Sequence, residues 1–173
     1  RQIKVGDGLS SDTTMGPLIS QARLETVEEF VRNAENSGAR ILTGGKRLTE
    51  LGKGFFYAPT VLRGVKPDSP VAREEIFGPV LPIISVESIE EAATICNDTS
   101  YGLAASVFTR DIDKAMEFAG EIQAGMIHLN HGTASQAHVP FGGVKASGQG
   151  AFSIGSTAKD FYMTNKVIYL RVS

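Results

Sequence analysis

The sequence predicts an α/β fold of parallel-sheet βαβ units with helices on both faces, followed by a C-terminal extension strand. Short apolar runs rich in β-branched residues, at 81–86, 103–109 and 125–130, alternate with stretches whose apolar residues recur at helical spacing. Strand and helix follow one another at about ten-residue intervals, as they must when each strand is returned parallel to the last by a crossover helix. The strand runs are mostly apolar throughout, the pattern of strands covered on both faces.

Taken in order, Ser20 is an N-cap, and behind it Leu24, Val27, Val31 and Ala34 fall on one helical face while Glu25, Glu28, Glu29 and Arg32 face water. The longest helix is therefore expected over 20–37, closed by Gly38. Residues 39–43 form a short strand stopped by Gly44-Gly45, and the run to Phe56 is a connection or hairpin. Residues 57–65 alternate weakly, and the internal Pro59 demotes them to an edge strand. Ser69-Pro70 opens one short turn of helix through Arg73. The run 81–86 reads as the buried central strand. Ser88 caps a helix with Ile89, Ala92, Ala93 and Cys96 on one face, ended by residues 97–100. A further buried strand at 103–109 leads into a helix from Asp111 with Ile112, Ala115, Met116 and Ala119 inward, then a strand at 125–130. Residues 141–155 are glycine-rich and aperiodic. Residues 166–172 read as a lone terminal strand, whose open edge invites pairing with another chain.

The 173 residues are enough to bury most of a core's apolar surface, and 42% hydrophobic with 21% charged residues describes a globular protein. A net charge of −2 without a dense Lys/Arg block argues against nucleic acid as a partner. No apolar run reaches about 18 residues and no charged-then-apolar leader is present, so neither membrane span nor secretory signal is expected, and the address is cytoplasmic. The single Cys96 excludes an internal disulfide. The chain opens at Arg1 in what reads as a strand, without methionine, as a piece of something longer does.

Candidate chemistry gathers just before the first of the three apolar runs, in Glu74-Glu75-Ile76-Phe77-Gly78-Pro79-Val80. Gly78 allows close backbone approach, and Pro79 bars the helical region before it, so Glu75 and Phe77 should be held stiffly. A fixed carboxylate can accept hydrogen bonds from two neighbouring sugar hydroxyls, and a fixed phenyl ring can pack on a flat heterocycle. The alternative is a solvated glutamate pair and a core phenylalanine. A ligand-holding pair should stand at the C-terminal ends of the strands. Cys96, on an apolar helix face near the C-terminal end, lies where the helix dipole weakens thiol acidity, and reads as structural. His128, His131 and His138 match no metal-ligand spacing. The segment 139–150 lacks the strand-to-helix pattern of a phosphate loop.

Together these stretches resemble one family. Asp7, Met15-Gly16-Pro17-Leu18-Ile19, Ala58-Pro59-Thr60, the 74–80 stretch, Asn97-Asp98 with 101–109, Ala124-Gly125 with Asn130, and Pro140-Phe141-Gly142-Gly143-Val144-Lys145 with Ser147-Gly148 follow the order and spacing of the NAD(P)-dependent aldehyde dehydrogenase superfamily. The resemblance covers nearly the whole chain. It implies the C-terminal part of the catalytic domain over 1–150 and a C-terminal segment with the oligomerisation strand over 151–173. It implies that Glu75 accepts hydrogen bonds from the nicotinamide ribose of NAD or NADP, that Phe77 packs beside the nicotinamide, and that Leu103 approaches the same end of the cofactor. Phe141 would line the aldehyde tunnel, and 131–139, beginning with His131, would select the substrate. The partners implied are a small-molecule aldehyde and further copies of the chain.

The family's chemistry is thiolate attack on the aldehyde, hydride transfer to the nicotinamide, and thioester hydrolysis by a glutamate-activated water. That Cys, that Glu and the adenine-binding domain precede the Asp7 region in the family. No catalytic residue or metal ligand is therefore assigned here, and the chain alone is expected to be inactive. Residues 151–160 also lack the family's common Arg-Glu pair. The small, polar 131–138 loop points to a short or oxygenated aldehyde such as a semialdehyde, although it contains no arginine to grip a carboxylate. A second reading is a natural truncated, non-catalytic assembly or binding module.

Overall fold

Ser20 nucleates the first helix as its position predicts. In the computed structural model, which describes residues 3–172, its hydroxyl accepts from the Arg23 backbone N–H at 3.2 Å and opens α1, Gln21–Asn36. Leu24, Val27, Val31 and Ala34 bury the predicted stripe, and Gly38 ends the helix at φ 100°. The chain then enters β1, Arg40–Thr43, which pairs antiparallel with β2, Thr60–Arg63. Beyond β1, Gly44 and Gly45 both adopt φ 76°. A Cβ on Gly44 would lie 2.3 Å from the Pro59 carbonyl oxygen, so only glycine lets the two segments meet there.

The short α2, Pro70–Arg73, carries β2 into β3, Val80–Ile83, in parallel register with Val61 opposite Leu81. The order β1-β2-β3 makes β2 the central strand, correcting the edge position expected from Pro59. The proline stands one residue before the ladder begins, so its missing N–H costs no strand bond. β3 is likewise not a buried strand: it lies at the sheet's edge among the described residues, Leu81 and Ile83 are exposed, and its Pro82 suits an edge. Leu24, Val27 and Val31 pack on Tyr57, Leu62, Val65, Val71 and Ile76 to form the core of this unit, which ends at Ser85.

The second compact unit begins at Val86. Ser88 caps α3, Ile89–Asn97, accepting from the Glu91 N–H, and Asp111 caps α4, Ile112–Glu121, accepting from the Lys114 N–H. α4 joins β4, Ala104–Val107, to β5, Met126–Leu129, in a parallel βαβ unit with Ala105 opposite Ile127. Its core is Ala93, Phe118 and Ile122, flanked by Ile89, Ala92, Ala105, Val107, Ala124 and Ile127. The buried stripe of α4 is thus turned toward Ala115 and Phe118, leaving Ile112 and Met116 exposed, contrary to the expected face. The large ring of Phe118 sets the inward direction. Cys96 is also exposed, at the last turn of α3, beyond the reach of this small core. After a 3-10 turn and α5, Ala158–Tyr162, residues 163–172 stay exposed and form no strand. The strand expected at 166–172 has no ladder partner among the described residues, and an extended chain without one is not a β-strand.

Candidate functional site

The turn between α2 and β3 is built to hold its side chains still. Ile76 is buried in the first core and anchors it. The Arg23 guanidinium of α1 donates to the Ile76 carbonyl at 3.2 Å and sits 5.4 Å from the centroid of the Phe77 ring. Phe77 takes φ 50°, a left-handed conformation unfavourable for a side-chain-bearing residue, yet the residue is 65% exposed. Gly78 lies so close to α1 that a Cβ would meet Val27 Cγ2 at 2.4 Å. Glu75 is exposed beside it. The pair stands at the N-terminal end of β3, where the Thr60 N–H of β2 donates to the Pro79 carbonyl at 2.8 Å, and not at the strands' C-terminal ends as expected. The reason is connectivity: the turn precedes β3 instead of following it.

In the second unit the glycine-rich 139–150 segment is a packed knot. Gly102 donates its N–H to Ser147 Oγ at 3.1 Å and accepts at its carbonyl from Gly125 and Val144 at 3.0 and 2.9 Å. Cβ atoms on Gly125 or Gly148 would fall 2.0 and 1.8 Å from the carbonyl oxygens of Gly142 and Gly143. Lys145, at φ 54°, donates from Nζ to the carbonyls of Asn97 and Thr99 at 2.7 and 3.1 Å, satisfying the C-terminal end of α3. Gly143 and Gly148 face backbone, Gly142 faces the Phe152 ring, and Gly150 faces open space.

Phe141 of this knot borders two cavities, one shared with Leu103 and the other with His131. Leu103 and Phe141 line one cavity of about 200 Å³, walled by 147–153 and Phe161. Phe141 also lines a larger cavity of about 530 Å³ with His131, Gln136 and His128. The larger one runs along β5 from Gly125 to His128, beneath the 131–139 loop. Asn130 fixes the C-terminal end of β5: at φ 59° it accepts at Oδ1 from the Thr109 N–H at 2.8 Å, and its own N–H donates to Val107 at 2.8 Å. Glu75 and Phe77 belong to the first unit.

Although Cys96 is exposed as a residue, partial desolvation on the helix surface pushes its thiol above the ordinary range, so at neutral pH it is a poorer nucleophile than a free thiol. In the first unit Glu28 accepts from the Arg47 guanidinium, and that hydrogen bond lowers its carboxyl. Burial raises the neighbouring Tyr57 to about 12.

Sequence reasoning missed Arg23, Lys145 and His128 as positioning groups. Arg23 is fifty-three residues from the carbonyl it holds, a separation no local pattern reports. Lys145 had a signal in its place within the glycine run. His128 read as an ordinary strand residue, and its burial follows from the loop laid over it.

A family model described as "Aldehyde dehydrogenase family" matches residues 1–168. The alpha-ketoglutaric semialdehyde dehydrogenase of Bacillus subtilis (strain 168) is 38% identical over 175 residues, covering 99% of this chain and 36% of that protein. The 4-trimethylaminobutyraldehyde dehydrogenase of Sus scrofa is 41% identical over 172 residues, covering 97% of this chain and 35% of its own length. Among solved structures, Staphylococcus aureus betaine aldehyde dehydrogenase in complex with NAD+ superposes with a TM-score of 0.86 at 37% identity, over 92% of this chain and 32% of that one. The chain thus spans about a third of the length of these relatives. A family match over nearly every residue, and a fold superposing at this level, make the chain a member of the aldehyde dehydrogenase family.

Proposed function

We propose that this chain is the C-terminal part of an NAD(P)-dependent aldehyde dehydrogenase, which oxidises an aldehyde to a carboxylic acid, and that it supplies a clamp on the nicotinamide side and part of the substrate mouth. The observation that carries this reading is Phe77, a mostly exposed aromatic residue kept in a left-handed backbone conformation by Arg23, buried Ile76 and the close approach of Gly78 to Val27. Strain of this kind, retained by several surrounding contacts, gathers at ligand clamps. Position at a sheet end does not carry the assignment; the fixed turn does.

The residues fit the group. An exposed carboxylate at Glu75 can accept from ribose hydroxyls, and the Phe77 ring offers a flat apolar face to a heterocycle. A nicotinamide bound there would accept the hydride released from the substrate carbon. Leu103 adds an apolar contact on the cofactor side, while His131 and Phe141 border the aldehyde. The nucleophile is assigned outside this chain, because Cys96 is the single cysteine and its thiol pKa is raised. The exposed apolar tail, with Tyr169 at 94%, supports a role in contact between copies. The same tail favours the second reading, a non-catalytic assembly module. A cytoplasmic address belongs to the proposal; no helix among the described residues is long and apolar enough to cross a membrane.

Steady-state kinetics on the full-length enzyme carrying this sequence test the reading. Phe77→Ala and Glu75→Gln should each raise the KM for the nicotinamide cofactor by about tenfold, the loss of one good contact. Unchanged cofactor kinetics in both would overturn the clamp. NADH formation from an aldehyde by the 173-residue chain alone would overturn its assignment as an incomplete piece.

A further inference from the structure

Strand alternation decides which side chains of β5 can meet a ligand. Ala105, Val107 and Ile127 face the helical core, so Met126 and His128 of β5, with Ser106 of β4 in register beside His128, point to the opposite face. The 131–141 loop closes over that face, leaving the cavity of about 530 Å³. Its apolar walls include Met126, Val139, Pro140 and Phe141. His128 lines it at 8% exposure, and its Nε2 is buried with no hydrogen-bond partner among the described residues. The His131 ring stands edge-on to it, centroids 4.8 Å apart, held by a 2.7 Å contact between its Nδ1 and the Gly132 carbonyl oxygen. A buried polar nitrogen without a partner is costly, and one in a cavity wall is satisfied when a ligand fills the cavity.

We propose that His128 is the specificity-determining residue of this cavity, and that the substrate is an uncharged aldehyde whose far end carries a hydroxyl. The inference rests on the aldehyde dehydrogenase reading and goes beyond it in naming the substrate class and the residue that selects it. An imidazole nitrogen that is not charged is a donor in one tautomer and an acceptor in the other. A hydroxyl satisfies either one. A carboxylate can only accept, and it would enter beside a lining that contains no Lys or Arg. A quaternary ammonium offers no hydrogen bond, and the lining contains no carboxylate. A plain alkyl end would leave Nε2 unpartnered.

The test uses the full-length enzyme carrying this sequence with three aldehydes of one chain length: γ-hydroxybutyraldehyde, butyraldehyde and succinic semialdehyde. The native enzyme should show a kcat/KM for the hydroxylated compound about tenfold above either of the others, the discrimination of one buried hydrogen bond. In His128→Phe that ratio should fall to about one, and in His128→Gln, which keeps a donor and an acceptor, part of it should survive. Preference for the carboxylated substrate in the native enzyme would overturn the proposal, as would a fall in both variants that is equal for all three aldehydes, the mark of a purely structural histidine. If none of the three is oxidised but the chain's imidazole nitrogen resonances, followed by NMR, shift on adding γ-hydroxybutyramide and not butyramide, the dehydrogenase reading fails while the hydroxyl site stands. No shift with either amide would sink the site itself.

Discussion

Gly78 shows how a single missing methyl positions a side chain. With 2.4 Å between a would-be Cβ and Val27, Gly78→Ala should push the turn off α1 and cost about 1–3 kcal/mol, read as a lower urea midpoint. Lys145 acts through its ammonium. Lys145→Met leaves the Asn97 and Thr99 carbonyls without this donor, and should cost about 1–3 kcal/mol with faster amide exchange at the end of α3. Two titrations make the stability of the first unit depend on pH. The carboxyl of Glu28 is lowered from 4.5 by Arg47, so its contribution is complete above that value and is lost as pH falls through the lower folded pKa. Glu28→Gln should remove this acid-limb loss. Both partners are partly exposed, so the effect should be small and weaken with salt. Tyr57, raised to about 12 by burial, stabilises the fold below its ordinary 10.0 and loses that contribution as pH climbs through 12. Phenolate absorbance during alkaline titration should show a late component that disappears in Tyr57→Phe.

At the scale of elements, the sequence made the helices legible because their signals are local. Ser20, Ser88 and Asp111 each cap the helix their position announces, and α1 buries the four residues its periodicity selects. The strands were legible in existence but not in rank. Which strand is central depends on pairing between residues far apart, and so Pro59, one residue outside the ladder, was read as a flaw inside it. The buried face of α4 was misread because spacing alone weighs Ile112 and Phe118 equally, whereas packing follows the larger ring. Of the candidate site, Phe141 lines one cavity with Leu103 and another with His131, while the roles their motifs imply belong to our proposal. The orphan nitrogen of His128 was invisible, since burial of a strand residue depends on which loop returns over it.

For the whole molecule, open surfaces govern behaviour. Among the described residues β3 offers an unpaired edge with Leu81 and Ile83 exposed, and residues 167–172 present Val167, Ile168, Tyr169, Leu170 and Val172 to solvent. An extended apolar segment and an open edge favour pairing between copies. Sedimentation of the chain should therefore show association that rises with concentration, and removal of 164–173 should lower it. A single sharp monomer at every concentration would count against this.

The left-handed residue at the head of β3 has one more consequence. A phenylalanine there costs the backbone about 1 kcal/mol, while its stacking on Arg23 returns a similar amount. Phe77→Gly should therefore melt within a few degrees of the native protein. A screen for well-folded variants would keep this change, although it deletes the one ring we assign to the coenzyme, so soundness of fold and fitness for catalysis can part company at this residue without any warning from a melting curve.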